Sequence, residues 1–495
     1  MKHPGSRQLL LLELFFIFVL AVIPRLWRLQ FDLQITYDQG LHSQAVWNVW
    51  HDGKLSLLGH PTDVDGIYHA PVYYWLMLPF YVLGRGNPVY PAVWQALLHS
   101  FSAVLIYILA RRLFDIKTAR ISAILFAASF GWISYARWLS NVSPVVPFAL
   151  LFFITLEKAV RSHPNWFIFA CLFASLVIEC NGAIGVFLLP LLVIFFFKLR
   201  KPLFSRPRIF WLAALAFIIP HLPLLFFNLR HNFVSLAAIV RYSGGANTGI
   251  GLSLTTIAYD LKVFFNEIGK TLAWQHLPVL TIALSVTGFC CFRFRQHQGL
   301  RLIVLFILVP LIGLFIYKRG AIGFFFWSTL PLVLILIVYS LSRLPKFLFY
   351  FFVSVLLWIN ICYWPELLSP NFLLTPIGTR NLITHQDRLN VVDWIYRQAA
   401  GRPIDLWMYT IPYLLEDPWR YYFIWYGQAK YGYLPESWGG LSSTEVSSSS
   451  AFFAVYEPDY DKPDNFSAWS TKLNSQFPNI IRTFNSHSAM VDYRL

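Results

Sequence analysis

Between residues 30 and 75, a chain that is otherwise one apolar segment after another turns polar. Five acids (Asp32, Asp38, Asp52, Asp63, Asp65) and four histidines (His42, His51, His60, His69) gather there. Carboxylates are costly next to lipid, so such a cluster marks a candidate reaction site. Asp38 leads it, flanked by Tyr37 and Gln39 just past the first apolar segment. A carboxylate there suits a general base. It equally suits the N-cap of a helix starting near Gly40, a position that Asp favours. His69 suits orienting a substrate, binding a metal or an ordinary hydrogen bond. Glu179, in Glu179-Cys180-Asn181-Gly182 at the end of an apolar segment, suits a grip on a hydroxyl or a solvated helix end.

Composition says where such a site sits. The chain has 495 residues, 57% hydrophobic and 13% charged. A soluble domain carries roughly 25% charged residues. The net charge of +15 does not point to nucleic acid, because the basic residues fall in short clusters between apolar segments. That is the pattern of cytoplasmic anchors on a multi-pass membrane protein. Spans need about 20 mostly apolar residues. Eleven segments qualify: 9–28, 90–110, 120–138, 144–161, 165–180, 183–199, 209–228, 276–292, 301–317, 321–341 and 346–364. The first reads as an uncleaved helix, since no small-x-small cleavage site follows it. The five cysteines lie in or beside apolar segments, with no disulfide framework or CxxC spacing.

Residues 71–84 decide the topology. They are short and begin with a proline. If they do not span, the basic clusters around Arg111, Lys158, Arg200, Arg293 and Arg343 all share one side. The positive-inside rule then places the N-terminus in the cytoplasm of an inner or plasma membrane. It makes 71–84 and the stretch 39–51, with Trp47 and Trp50, interfacial. The loop 30–75, the loop 229–275 and everything after 365 fall on the outer face. The expected architecture is an α-helical polytopic membrane domain (1–364) and a small C-terminal extracytoplasmic α/β domain (365–495). Within the latter, the patterns predict a helix over 387–400 and strands over 403–410, 451–458, 480–485 and 488–494. A tyrosine-rich patch, 421–438, offers rings that suit stacking on sugars. Arg137, Arg230, Arg241, Lys318 and Arg319 break the charge rule by lying outside. Snorkelling or a salt bridge to a loop aspartate explains such residues, and so does a bound anion.

The order of motifs carries a resemblance. A first helix is followed by an acidic loop, then by the proline-led PVYYWL helix ending in LG, then by a helix ending in ARRLF. This resembles the GT-C glycosyltransferases, above all the glycosyltransferase family 39 group of dolichyl-phosphate-mannose protein mannosyltransferases and bacterial aminoarabinose transferases of lipid A. The likeness is good over 1–200 and looser over 200–364, where GFFFWSTLPLVLILI (323–337) resembles the late proline-bearing helix. It implies the GT-C fold with about 11–13 transmembrane helices, the first outer loop at 30–75 and a second large one at 229–275. It also implies a monosaccharide moved from a polyprenyl-phosphate donor to a hydroxyl of a cell-envelope glycolipid, polysaccharide or protein on the outer face.

Residue by residue the likeness is uneven. Asp38-Gln39 stands where the family has Asp-Glu, so the proposed base is kept and the Glu is replaced. His69-Ala70-Pro71 stands at the family's HPP or EKP, without the lysine of some members. Arg137 through Pro144 stands at the R…D-P turn, with Asn141 nearest to the missing acid. The resemblance implies Asp38 as catalytic base in an inverting displacement. Tyr37, Gln39, His69, Arg137, Asn141 and Glu179 are then expected around the substrate. A leaving lipid phosphate gains charge, which fixed cations stabilise. Lys318 and Arg319 are the best pair for this, and Arg241 before a Gly-rich turn is next. No cofactor follows; a divalent metal stays open, but the departures weaken any carboxylate set to hold one. Two rival classes predict otherwise. A transporter or lipid flippase needs polar groups near the midplane of its spans, and these spans carry almost none. A non-catalytic membrane scaffold predicts that 30–75 is dispensable.

Overall fold

The computed structural model describes residues 4–495, apart from 63, 245–250, 275, 318–319, 368–382, 412–414, 440–449, 458, 460–461 and 488. A helical bundle comes first and a sheet domain last. Long, mostly apolar runs form the helices α1 (Pro4–Leu26), α5 (Val89–Leu113) and α17 (Gln298–Phe315). Two further apolar units are Gly182–Phe204 and Pro207–Arg230. Among the described residues, these five are long and apolar enough to cross a membrane, or seven units when each of two bent helix pairs counts as one span. Eleven straight spans were expected. Every expected segment is helical, but several are shorter, such as α9 (Trp166–Cys180), α18 (Leu330–Leu341) and α19 (Lys346–Cys362). The expected span 321–341 begins with a 3₁₀ turn, Gly323–Phe326, and its α-helix starts only at Leu330.

One expected span, 120–138, is broken. Helix α6 (Ile116–Ala128) and helix α7 (Phe130–Ala136) meet at 61° around Ser129. A break inside a membrane domain is tolerated where other groups satisfy the freed backbone. Here three side chains do so. The Arg25 guanidinium, fully buried, donates to the carbonyls of Phe126 and Ala127 at 3.2 and 3.1 Å. Trp364 Nε1 donates to the Ala128 carbonyl at 3.1 Å. Asn360 Oδ1 accepts from the Phe130 amide at 3.0 Å, while its Nδ2 donates to the Leu272 carbonyl at 2.8 Å.

The basic clusters converge at one end of the bundle. Arg120 pairs with Glu13 and Arg112 with Glu157, while Lys117 lies 3.7 Å from the Phe349 ring centroid. The loop after α1 lies at the opposite end. It holds α2 (Leu29–Asp32), α3 (Tyr37–His51) and a two-stranded ribbon closed by the Pro61–Tyr68 bridge. Helix α4 (Val72–Leu83) follows, burying Tyr73, Tyr74, Met77 and Tyr81.

The tail is a five-stranded sheet in the order β2-β1-β3-β5-β4. Strand β1 (Ile404–Tyr409) runs parallel to β2 (Ser437–Gly439) and β3 (Ala451–Tyr456). Strand β5 (Ala489–Arg494) is antiparallel to β3 and to β4 (Ile480–Ser486). Alternate residues of a strand face opposite ways. Leu406 and Met408 pack with Val391 and Ile395 of α21 (His385–Ala399), and Trp407 and Tyr409 with Trp469 and Leu473 of α24 (Pro463–Gln476). The expected helix 387–400 and the four expected strands are all present. Strand β2, α24 and the helical 417–431 segment were not expected.

The tail and the loop after α1 share one hydrophobic core with α4. It joins Leu33, Ile35, Val46 and Tyr81 to Val391, Leu406, Trp419 and Tyr421. A short antiparallel bridge pairs Gln34 with Thr384, and the His385 amide donates to the Leu33 carbonyl at 2.6 Å. The tyrosine-rich patch serves this contact. Tyr421 and Tyr422 are fully buried, the Tyr421 hydroxyl donates to the Gly86 carbonyl, and Trp425 Nε1 donates to the Arg85 carbonyl at 2.8 Å. Those rings are committed to packing rather than open to sugar.

Candidate active site

Helix α3 starts with Thr36-Tyr37-Asp38-Gln39, and its capping is reciprocal. The Gln39 side chain reaches back to the Thr36 amide at 3.0 Å, and Thr36 serves as the N-cap. The sequence left Asp38 as either base or cap; the cap is Thr36. Asp38 instead sits in the first turn, where the helix dipole favours a carboxylate. Gln39 is fully buried, and its side-chain oxygen serves the turn.

The ribbon brings two histidines to this turn. Gly59 donates to the His69 carbonyl at 2.7 Å and His69 to the His60 carbonyl at 3.1 Å. His60 Nε2 then lies 3.7 Å from Asp38 Oδ1, and His60 Nδ1 lies 3.1 Å from His42 Nε2. His42 is buried against Tyr73 and Tyr74. Burial pushes its pKa well below the usual histidine range, with His60 and His69 adding to the effect. Burial likewise pushes His69 down to about 4, although Glu179 opposes it. The Tyr37 hydroxyl is raised, first by burial and then by the charges of Asp417 and Asp38.

Glu179 is only 2% exposed, so it is no solvated helix end. One carboxylate oxygen accepts from the Ala70 amide at 2.5 Å, and the other pairs with His221 Nδ1. The far His221 nitrogen lies 3.1 Å from Ser175 Oγ. Glu179 thus ties the His69-Ala70-Pro71 elbow through one oxygen, and His221 through the other, to the C-terminal end of α9. Asn141 is buried too, and its Nδ2 donates to the Cys180 carbonyl at 2.8 Å.

The cations divide into three cases. Arg137 is engaged: it pairs with Asp32 at 3.1 Å and donates to the Trp27 carbonyl at 2.6 Å. Arg241 is exposed in the last turn of a helix, Val234–Ser243, inside the expected loop 229–275. That helix lies against the ribbon, since a Cβ on Gly66 would be 3.1 Å from the Ala238 Cβ. Lys318 and Arg319 lie outside the described residues. Next to them in sequence, Tyr317 shares a 2.7 Å hydroxyl contact with Tyr242, the neighbour of Arg241.

Sequence reasoning missed three participants. His60 and His42 were visible only as members of a cluster, because the ribbon that pairs them has a weak local signal. Asp417 had no signal at all. It accepts from Gln44 Nε2 through its own carbonyl at 2.8 Å, across 373 residues of sequence. Burial raises its carboxyl pKa. Among the described residues, no group of three His, Cys, Asp or Glu side chains is arranged to hold a metal.

A family model of dolichyl-phosphate-mannose-protein mannosyltransferases matches residues 68–227. That stretch includes the elbow, α9 and His221 but begins after Asp38. A protein of Aquifex aeolicus (strain VF5) is 32% identical over 202 residues, which are 37% of this chain and 38% of that protein. The match thus spans well under half of that relative. The whole chain superposes on ArnT from Cupriavidus metallidurans bound to undecaprenyl phosphate, with a TM-score of 0.60, 13% identity and 98% of each chain covered. The Archaeoglobus fulgidus oligosaccharyltransferase, solved with zinc and sulfate, gives a TM-score of 0.50 at 11% identity, covering 96% of this chain and 72% of that one.

Proposed function

Taking as premise that this chain is a multi-pass protein of the GT-C superfamily in fold, we propose that it is a membrane glycosyltransferase that moves a monosaccharide from a polyprenyl-phosphate donor to an acceptor hydroxyl. One observation carries the reading. Asp38 has no capping duty, sits in the first turn of α3, and is set between Tyr37, His60 and the buried α4 face. In the reaction the Asp38 carboxylate takes the acceptor hydroxyl proton as the oxygen attacks the anomeric carbon. The bond from that carbon to the phosphate oxygen breaks, and the lipid phosphate leaves with the electron pair. Direct displacement inverts the anomeric centre. Lys318, Arg319 and Arg241 are the cations assigned to the phosphate, each lowering the barrier by meeting charge as it develops. The ArnT structure with undecaprenyl phosphate supports the donor class, since the folds superpose end to end. The convergence of the basic clusters at the end of the bundle opposite Asp38 supports transfer on the outer face, with a cytoplasmic N-terminus and an outer tail.

The test is transfer by purified protein with a panel of polyprenyl-phosphate sugars. A positioned base contributes roughly 10²–10⁴-fold, so Asp38→Asn should lose at least the lower end of that range while keeping its melting temperature. Wild-type turnover by a folded Asp38→Asn protein refutes the base. Absence of transfer with every donor, with lipid movement across vesicles instead, refutes the enzyme.

A further inference from the structure

We infer that Arg85 and the cleft beside it bind the headgroup of an anionic phospholipid, at the seam where the tail meets the turn between α4 and α5. The inference goes beyond the transfer reaction and needs only the fold and its membrane.

The argument begins with the backbone of that turn. Arg85 has a φ of 50° and Gly86 one of 90°. Left-handed geometry suits glycine and is costly for a residue with a Cβ. At Gly86 the need for glycine is plain, because a Cβ would run into the rings of Trp425 and Trp47. At Arg85 the fold uses the main chain alone. The Arg85 carbonyl accepts from Trp425 Nε1 at 2.8 Å, and the Gly86 carbonyl accepts from the Tyr421 hydroxyl. Any residue supplies those carbonyls. The Arg85 side chain is exposed, and among the described residues it has no partner. A strained position that carries a cation the fold does not use points to a ligand.

The surroundings say which ligand. On one side of the turn Leu83, at the end of α4, is 69% exposed. On the other side Tyr90, in the first turn of the spanning helix α5, is 44% exposed. Trp75, Pro79 and Val82 continue the exposed stripe along α4. Such a stripe on a membrane domain faces lipid, and a tyrosine at the end of a span sits at headgroup level. On the tail side, Trp425, Tyr426, Ala429 and Lys430 line an open cleft of about 330 Å³. Trp425 is both a wall of this cleft and the partner of the Arg85 carbonyl, so the cation and the cleft adjoin. Lys430 donates to Asp393 at 2.8 Å and to the Tyr426 hydroxyl at 2.6 Å, while Arg397 lies 4.0 Å from Asp393. Arg85, Lys430 and Arg397 thus outnumber the one acid of this seam. Surplus positive charge above an apolar stripe fits a phosphate carried on acyl chains.

The test places the full-length protein in nanodiscs of phosphatidylcholine mixed with phosphatidylglycerol. Native mass spectrometry after mild detergent release counts the phospholipids that stay bound. The parent should retain phosphatidylglycerol in preference to phosphatidylcholine. Arg85→Gly suits the left-handed backbone, so it should keep its melting temperature. Its preference should nevertheless drop about fivefold, the effect of one cation near an anionic surface. Arg85→Lys should keep most of the preference. Ala429→Trp fills the cleft without removing a charge and should also lower retention. Arg482→Ala removes an exposed cation from β4 and should change nothing. Equal retention of the two lipids by the parent overturns the inference, and so does an undiminished preference in Arg85→Gly. An equal drop in Arg482→Ala overturns it as well, since the effect would then be one of net charge. Release of the lipid by inorganic phosphate alone would assign the cleft to the free anion and overturn the lipid.

Discussion

Gly40 and Pro418 touch backbone to backbone: a Cβ on Gly40 would lie 2.4 Å from the Pro418 nitrogen and 2.7 Å from the Asp417 carbonyl carbon. The turn that carries Asp38 is thus seated on the tail domain, and nothing larger than glycine fits between them. Gly40→Ala should cost about 1–3 kcal/mol, the usual range for overpacking. Because the strain falls on the loop–tail contact, transfer should drop more than the melting temperature does. Equal melting and equal transfer in the variant would mean that the two surfaces separate freely.

The helix break at Ser129 depends on Asn360. Asn360→Leu leaves the Phe130 amide and the Leu272 carbonyl without that partner, at about 1–3 kcal/mol for each buried group unpaired. Thr287→Val is the control. Among the described residues, the Thr287 hydroxyl bonds within its own helix, to the Ala283 carbonyl. Thermal unfolding in detergent should separate the two variants clearly.

Glu179 holds the elbow before α4. Glu179→Ala should lose a charge-assisted hydrogen bond worth about 1.5–3 kcal/mol, and it frees the Ala70 amide. The expected result is faster proteolysis within the 59–69 ribbon together with slower transfer. A ribbon as protected as in the parent would show that the elbow is held by other contacts.

Acid should loosen the tail through His385. Burial, with Arg388 adding, lowers its pKa from 6.5 to about 4, and its Nδ1 lies 2.5 Å from the Tyr422 hydroxyl. The unfolded chain therefore takes up this proton at a higher pH than the folded one. Stability from this site is full above pH 6.5 and is lost as pH falls toward 4. The full shift is worth at most about 3.5 kcal/mol, since one unit is ~1.4 kcal/mol. His42 and His69 push the same way, so the measurement is a difference. Between pH 7 and pH 5, His385→Gln should lose less melting temperature than the parent protein.

Much of this was legible beforehand. Apolar runs located the helices, and the charge pattern sorted the ends of the bundle, because both are local properties of the sequence. The cap was misplaced, at Asp38 before Gly40, although Thr36-x-x-Gln39 is a capping-box signature in the sequence. The break at Ser129 was not legible, since a hydrophobic run looks the same straight or bent. Nor were the pairings of Arg137 with Asp32 and of Gln44 with Asp417, across 105 and 373 residues. No local pattern encodes a contact at that separation. That is why Arg137 looked available for an anion when its guanidinium is already engaged.

The shared core has a consequence for how the protein is made. Residues 33–44 leave the ribosome early, yet their partners His385, Asp417 and Pro418 come in the last quarter of the chain. The turn bearing Asp38 cannot reach its final packing until the tail has been synthesised and brought to the same side. Contacts of such long sequence separation form late. A chain halted partway would hold most of its helices and no finished site, so assembly itself keeps incomplete copies silent.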